Sequence, residues 1–206
     1  MDGRDDLLLP SGGYRRLKSF QLARLIFDIT VRFVELYIPG GSRTADQMVQ
    51  AARSGVQNIA EGSLEAATSA KLELNLYNVA RASLEELALD YQDYLRQNGC
   101  AVWDKDSPLY NRFVAERISD RAGFRDFIRM AEGSVPSVNI RNIPYKSVLV
   151  ANAVLLLIST ASYFIKRQID TKAKIFLTGG GFSERMRRMR SAKTNTGRTE
   201  RSYHKG

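Results

Sequence analysis

"KSVLVANAVLLLISTASYFIKRQID", residues 146–170, decides the architecture, because no charged side chain occurs between Ser147 and Phe164. A run of 18 such positions just reaches the length that spans a hydrocarbon core of about 30 Å. Asn152, Ser159, Thr160 and Ser162 interrupt it. A helix that is apolar all round is also what the centre of a helical bundle looks like. Three amphipathic segments elsewhere in the chain need such a partner, so the stretch is read as a core helix and not as a membrane span.

Those three segments lie upstream. In the first, about 14–37, Leu22, Leu25, Ile26, Ile29, Phe33 and Leu36 recur at helical spacing, with Arg24, Asp28, Arg32 and Glu35 opposite. "PGGS" at 39–42 ends it, since proline cannot continue the ladder and glycines favour a turn. The second, about 45–62, starts near Thr44 as a candidate cap and carries Met48, Ala52, Gly55, Val56 and Ile59 as its core stripe. Small Ala51, Gly55 and Gly62 let another helix come close. The third, about 69–97, places Leu72, Leu76, Val79, Ala80, Leu84, Leu87, Tyr91 and Leu95 on one face and stops at "NGC", where Gly99 suits a left-handed cap.

Residues 101–145 are less regular. Ser107 and Pro108 open one short helix, "AGFRDFIRM" suggests a second, and "GSVPSVNIRNIPY" reads as a connector. The segment 1–13, acidic with a run of three leucines, does not read as a secretory signal and is expected to be disordered. Beyond the last helix, "LTGGGF" lacks the frame of a phosphate-binding glycine loop and reads as a hinge. The remainder to residue 206 is too polar to bury enough surface to order itself.

The net charge of +9 is localised: residues 166–206 hold 12 Lys or Arg against Asp170, Glu184 and Glu200, so the segment 1–165 balances. Clustered cations following a neutral body suit contact with phosphates, where counterion release drives binding without sequence choice. Arg185, Arg187, Arg188, Arg190, Lys193 and Arg198 are the candidate nucleic-acid-binding residues, with Met186 and Met189 turned toward the body.

"DQMVQAARSGVQNIAEGS" followed by "LYNVARASLEEL" resembles the bacterial four-helix bundle family first known from proteins encoded in 23S rRNA intervening sequences. Asn58 to Gly62 match its Asn-Ile-Ala-Glu-Gly ending; Ala80, Arg81, Ser83 and Glu86 match its next helix, with Ala82 where the family usually has Gly. The likeness covers about residues 14–97, and "ANAVLLLISTASYFIKRQI" with "GGGFSERMRRMR" resembles the variant that carries a four-helix bundle suffix. It implies an all-α, up-down-up-down antiparallel bundle over 14–177, with helices at about 14–37, 45–62, 69–97 and 146–170, an insertion at 101–145, and a hinge and basic tail at 178–206. Relatives include a ring-shaped homopentamer that binds nucleic acid, so a cytoplasmic homo-oligomer, a pentamer by resemblance, is expected.

Ser54, Asn58 and Glu61 recur at i, i+4, i+7 along the second helix. Nucleophilic catalysis needs a base, and the one histidine, His204, sits close to the end of the chain. Glu61 and Glu86 are a candidate carboxylate pair, but Arg53 and Arg81 are as near in sequence, which favours salt bridges. No Glu-x-x-His exists for a di-metal centre, and the single Cys100 can neither close an internal disulfide nor anchor a zinc cluster. Arg53, Ser54, Asn58, Glu61, Arg81, Ser83 and Glu86 are therefore read as a polar lock fixing the register of helices two and three. The expected protein is non-enzymatic, without cofactor, metal, membrane or small-molecule substrate, and binds nucleic acid non-specifically through its basic tail. The alternative is a protein–protein scaffold docking through 101–145.

Overall fold

The computed structural model describes residues 13–133, 139–140, 143–179 and 187. They are all-helical apart from one short antiparallel pairing of Asn139–Ile140 with Ile143–Pro144 in the connector. A 3-10 turn at Tyr14–Arg16 precedes α1 (Lys18–Tyr37), so the first helix starts later than its periodicity suggests. Then follow α2 (Arg43–Glu65), α3 (Ala70–Gln97), α4 (Pro108–Glu116), α5 (Arg121–Gly133) and α6 (Tyr145–Gly179). The segment 1–12 lies outside the described part, and with it all but the last residue of the stretch expected to be disordered.

Local chemistry accounts for the boundaries. Ser69 Oγ accepts the Leu72 N–H at 3.2 Å and caps α3. Pro108 occupies the first turn of α4, where its missing N–H is harmless, and Gly99 adopts φ +66° after α3, which only glycine takes without strain. Thr44 is not the cap of α2: the helix begins at Arg43, Ser42 holds the cap position, and no side chain bonds there.

The helices pair in antiparallel fashion. Gly55 of α2 lies against Leu84 of α3, and Gly62 against Tyr77. Tyr94 of α3 donates to Ser147 of α6 at 2.8 Å, while Lys172 near the other end of α6 reaches back to Glu73 near the start of α3. Ser19 of α1 donates to Gln168 of α6 at 2.6 Å. Across the interior, Phe33 packs edge-on between Tyr91 and Tyr94, and Tyr91 donates to Thr30 at 3.0 Å. The core of Leu22, Ile26, Met48, Ile59, Leu84, Leu87, Leu149 and Leu157 lies between these four helices, each such side chain contributing about 1.5–3 kcal/mol on burial.

Along α3 the buried positions include Glu73, Tyr77, Ala80, Leu84, Leu87, Tyr91 and Tyr94, a strict alternation of four and three. Leu72 and Val79, expected on the core face, are instead 42% and 46% exposed. A carboxylate occupies the first interior position, so the apolar pattern points one residue to the side. Leu36 of α1 likewise stands 51% exposed.

The membrane-length run has its explanation in the insertion. By length and composition α6 is apolar enough to cross a membrane, with mean hydropathy 2.1, yet 61% of that window is buried inside the protein. Residues 147–154 are buried on every side, because α4 and α5 pack on the flank that the other helices leave open. Asn152, 1% exposed, anchors this cover: its Oδ1 accepts the Trp103 N–H at 2.7 Å, and its Nδ2 donates to the carbonyls of Val148 at 3.1 Å and Ala101 at 3.3 Å. The helix also runs past its expected end at 170, to Gly179, so the first positions assigned to a hinge are helical.

Candidate functional site

The seam between α2 and α3 is built on small residues. A Cβ at Gly55 would stand 2.9 Å from Leu84 Cδ2, and one at Gly62 3.0 Å from the Tyr77 ring and 3.3 Å from the Glu73 carbonyl, so any larger residue there forces Leu84 or Tyr77 to shift. At the margin of the seam Ser54 Oγ and Ser83 Oγ share a 2.8 Å hydrogen bond across the two helices. Asn58 does not cross: its amide donates to the Ser54 carbonyl at 2.9 Å and to Ser54 Oγ at 3.1 Å, tightening one turn of α2.

The remaining members of the expected lock are not assembled with these three. Arg53, Glu61, Arg81 and Glu86 are all exposed. Glu86 borders the same shallow groove as Ser54 and Ser83, whereas Arg81 faces a groove between α3 and α6 with Asn78 and Lys166. The reason is positional. The buried stripe of α2 passes through Ile59, Gly62 and Ser63, which sets Glu61 about 100° away from the interior. Among the described residues no ion pair joins these arginines to Glu61 or Glu86, and no group of three His, Cys, Asp or Glu side chains is placed to hold a metal.

One polar cluster escaped sequence reading. Glu73 is 1% exposed, and the Lys172 ammonium lies 2.8 Å from its Oε1. Tyr77, one turn along α3, bonds to Glu73 and Ser63. Burial first, then the Glu73 negative charge and its hydrogen bond, push the Tyr77 hydroxyl far above the ordinary tyrosine range, while Ser63 opposes them. Tyr77 is therefore a permanent donor. The cluster ties α2, α3 and the far end of α6 together, with Glu73, Tyr77 and Ser63 buried and Lys172 part-exposed. The findable signal was the heptad of α3 extended one step backward, which lands on Glu73.

The basic segment is described only in part. Arg187 is exposed; Arg185, Arg188, Arg190, Lys193 and Arg198 lie outside the described residues. Closer to the body several cations are engaged. Lys166 pairs with Asp170 at 3.3 Å, Arg167 sits 5.9 Å from the Tyr163 ring centroid, and Lys172 holds Glu73. Lys174 is exposed. Comparison of the chain with protein-family models, with curated proteins and with solved structures finds no match.

Proposed function

We propose that this chain is a non-enzymatic, up-down-up-down four-helix bundle protein of the cytoplasm that associates as a homo-oligomer. It binds nucleic acid phosphates, without sequence choice, through the basic residues beyond α6. The bundle reading takes α1, α2, α3 and α6 as its four members and α4 and α5 as an inserted cover; the antiparallel contacts from Ser19–Gln168 to Tyr94–Ser147 support it.

One observation carries the functional reading: the entire excess of nine positive charges falls in residues 166–206. Lys166 and Lys172 are consumed within the fold, so the free charge concentrates toward Lys174 and the arginines from 185 onward. Arginine forks suit phosphate oxygens, and contacts of this kind position a protein on a backbone without reading bases. In an oligomer each basic segment recurs, and weak contacts then add through effective concentration.

Fluorescence anisotropy with labelled single-stranded RNA on the full chain, against a variant with Arg185, Arg187, Arg188 and Arg190 all changed to Ala, tests this reading. Loss of at least about tenfold in affinity at low salt is expected, since several phosphate contacts disappear together. Equal binding by the two proteins overturns the assignment of the tail. No binding by either, at low salt, gives way to the scaffold alternative.

A further inference from the structure

A groove of about 370 Å³ opens between α1, α5 and the start of α6, within the roughly 300–1,000 Å³ of small-ligand sites. Within its charged rim the lining is apolar, aliphatic at Ile29, Leu36, Ile128 and Val150 and aromatic at Phe33, Tyr37 and Phe124. Leu36 is the residue that its helix periodicity assigns to the core and that the structure leaves 51% exposed. The rim is cationic. Arg121, Arg125 and Arg129 stand four residues apart along α5, Arg32 and Lys146 border the other sides, and Asp28 is the carboxylate in the lining.

The five cations are not equally available. Arg32 bonds Glu35 at 2.9 Å and Lys146 bonds Glu132 at 2.8 Å. By contrast, Arg121 is 3.9 Å from Asp28, Arg125 is 3.8 Å and Arg129 3.5 Å from Asp126. Charge-assisted hydrogen bonds run to about 2.7–2.9 Å, so these three guanidinium forks keep their donors. Even with Glu35, Asp126 and Glu132 included, the groove retains a positive excess.

We propose that this groove binds a small amphiphilic anion: a hydrophobic chain lying on Ile29, Leu36 and Ile128, ending in a phosphate or carboxylate held by Arg125 and Arg129. A bare anion gains little from arginines this exposed, and a neutral apolar molecule leaves the forks unused. A nucleic acid strand wants open aromatic faces for its bases, whereas of the rings in this lining Phe33 and Phe124 are buried, at 1% and 7% exposed, and Tyr37 is half-buried. The head belongs at the Arg125–Arg129 end because Asp28, flanked by Arg24 at 3.8 Å and by Arg121, occupies the other. None of these residues belongs to the basic segment, so the proposal stands apart from nucleic-acid binding.

Calorimetric titration of the full chain tests it with decyl phosphate and decanoate, both below their critical micelle concentrations, and with inorganic phosphate and decanol as halves of the ligand. One amphiphile or both should bind at a single site per chain, at least about tenfold tighter than either half, the preferred head group being read from the pair. The affinity should fall at least about tenfold in the double variant Arg125→Gln, Arg129→Gln and, separately, in Leu36→Asp, with circular dichroism confirming that both fold. Neither amphiphile binding, several sites per chain, or affinity unchanged in either variant overturns the proposal. A ten-nucleotide oligouridylate that binds tighter than both amphiphiles, and depends on Arg125 and Arg129 but not Leu36, overturns it as well.

Discussion

Glu73 shows how one side chain can commit a helix to its partner. A carboxylate at 1% exposure is tolerable only with compensation, which Lys172 and Tyr77 supply. Removing Lys172 strands the charge, while removing the Glu73 charge leaves a lysine that is 30% exposed and can turn to water. Lys172→Met should therefore destabilise the fold by about 2–3 kcal/mol, below the roughly 3–5 kcal/mol of a fully buried pair because the lysine is part-solvated. Glu73→Gln should cost distinctly less, and urea denaturation of both checks the order; equal small losses would show the tie to be ornamental. Asp90 offers a pH test. Burial first, then the Asp93 and Glu86 carboxylates, raise its carboxyl above the usual 3.8. A raised acid holds its proton more tightly in the native state, so its destabilising effect is complete above the folded-state value and vanishes as the pH falls below that of the unfolded chain. Asp90→Asn should stabilise the protein at neutral pH by about 0.2–0.5 kcal/mol per relieved repulsion, with no gain near pH 3. Sequence reading located the Ser54–Ser83 contact, because small polar residues at the edge of an apolar stripe invite it. It missed Glu73, because a charged residue in an apolar heptad is ordinarily assigned to solvent.

At the scale of elements, the periodicity of α1, α2 and α3 was legible and their ends were accurate to within a turn or so; the Ser69 cap and Gly99 mark α3, whereas α2 starts at Arg43 without a side-chain cap and runs past Gly62 to Glu65. The extent of α6 was not, because nothing in "TKAKIFLTG" forbids more helix and the Glu73–Lys172 contact that holds it is nonlocal. Nor was the role of the insertion, in which Phe113, Phe124, Phe127 and Ile128 join the core while the Asn152 amide holds the loop that leads into it. Asn152→Ala should orphan the Trp103 N–H and release the cover, at about 1–3 kcal/mol. Hydrogen exchange should rise in α4 and α5 ahead of α2 and α3, and the emission of Trp103, which packs on Phe127, should shift to the red. Uniform acceleration of exchange would argue that the insertion folds as one with the rest. Gly55→Ala tests the seam: its methyl meets Leu84 at 2.9 Å, an overpacking worth about 1–3 kcal/mol. A neutral or stabilising outcome in thermal denaturation would mean that Leu84 turns aside and the helix propensity of alanine, about 1 kcal/mol over glycine, prevails.

Across the whole molecule the decisive property is the separation of charge from core. The segment 1–165 is electrically balanced and supplies most of the packed helices; the excess of nine follows it. That division was readable from composition alone, whereas the amphiphile groove was not, since its walls come from three helices far apart in sequence. The salt dependence of single-stranded RNA binding is the most direct test, comparing the full chain with one ending after Gly179, where α6 ends. The account predicts that log K for the full chain falls against log salt with a slope of about −3 or steeper, as for four or more phosphate contacts, and that the shortened chain gives about −1 or flatter. Equal slopes, or binding that ignores salt, would contradict it.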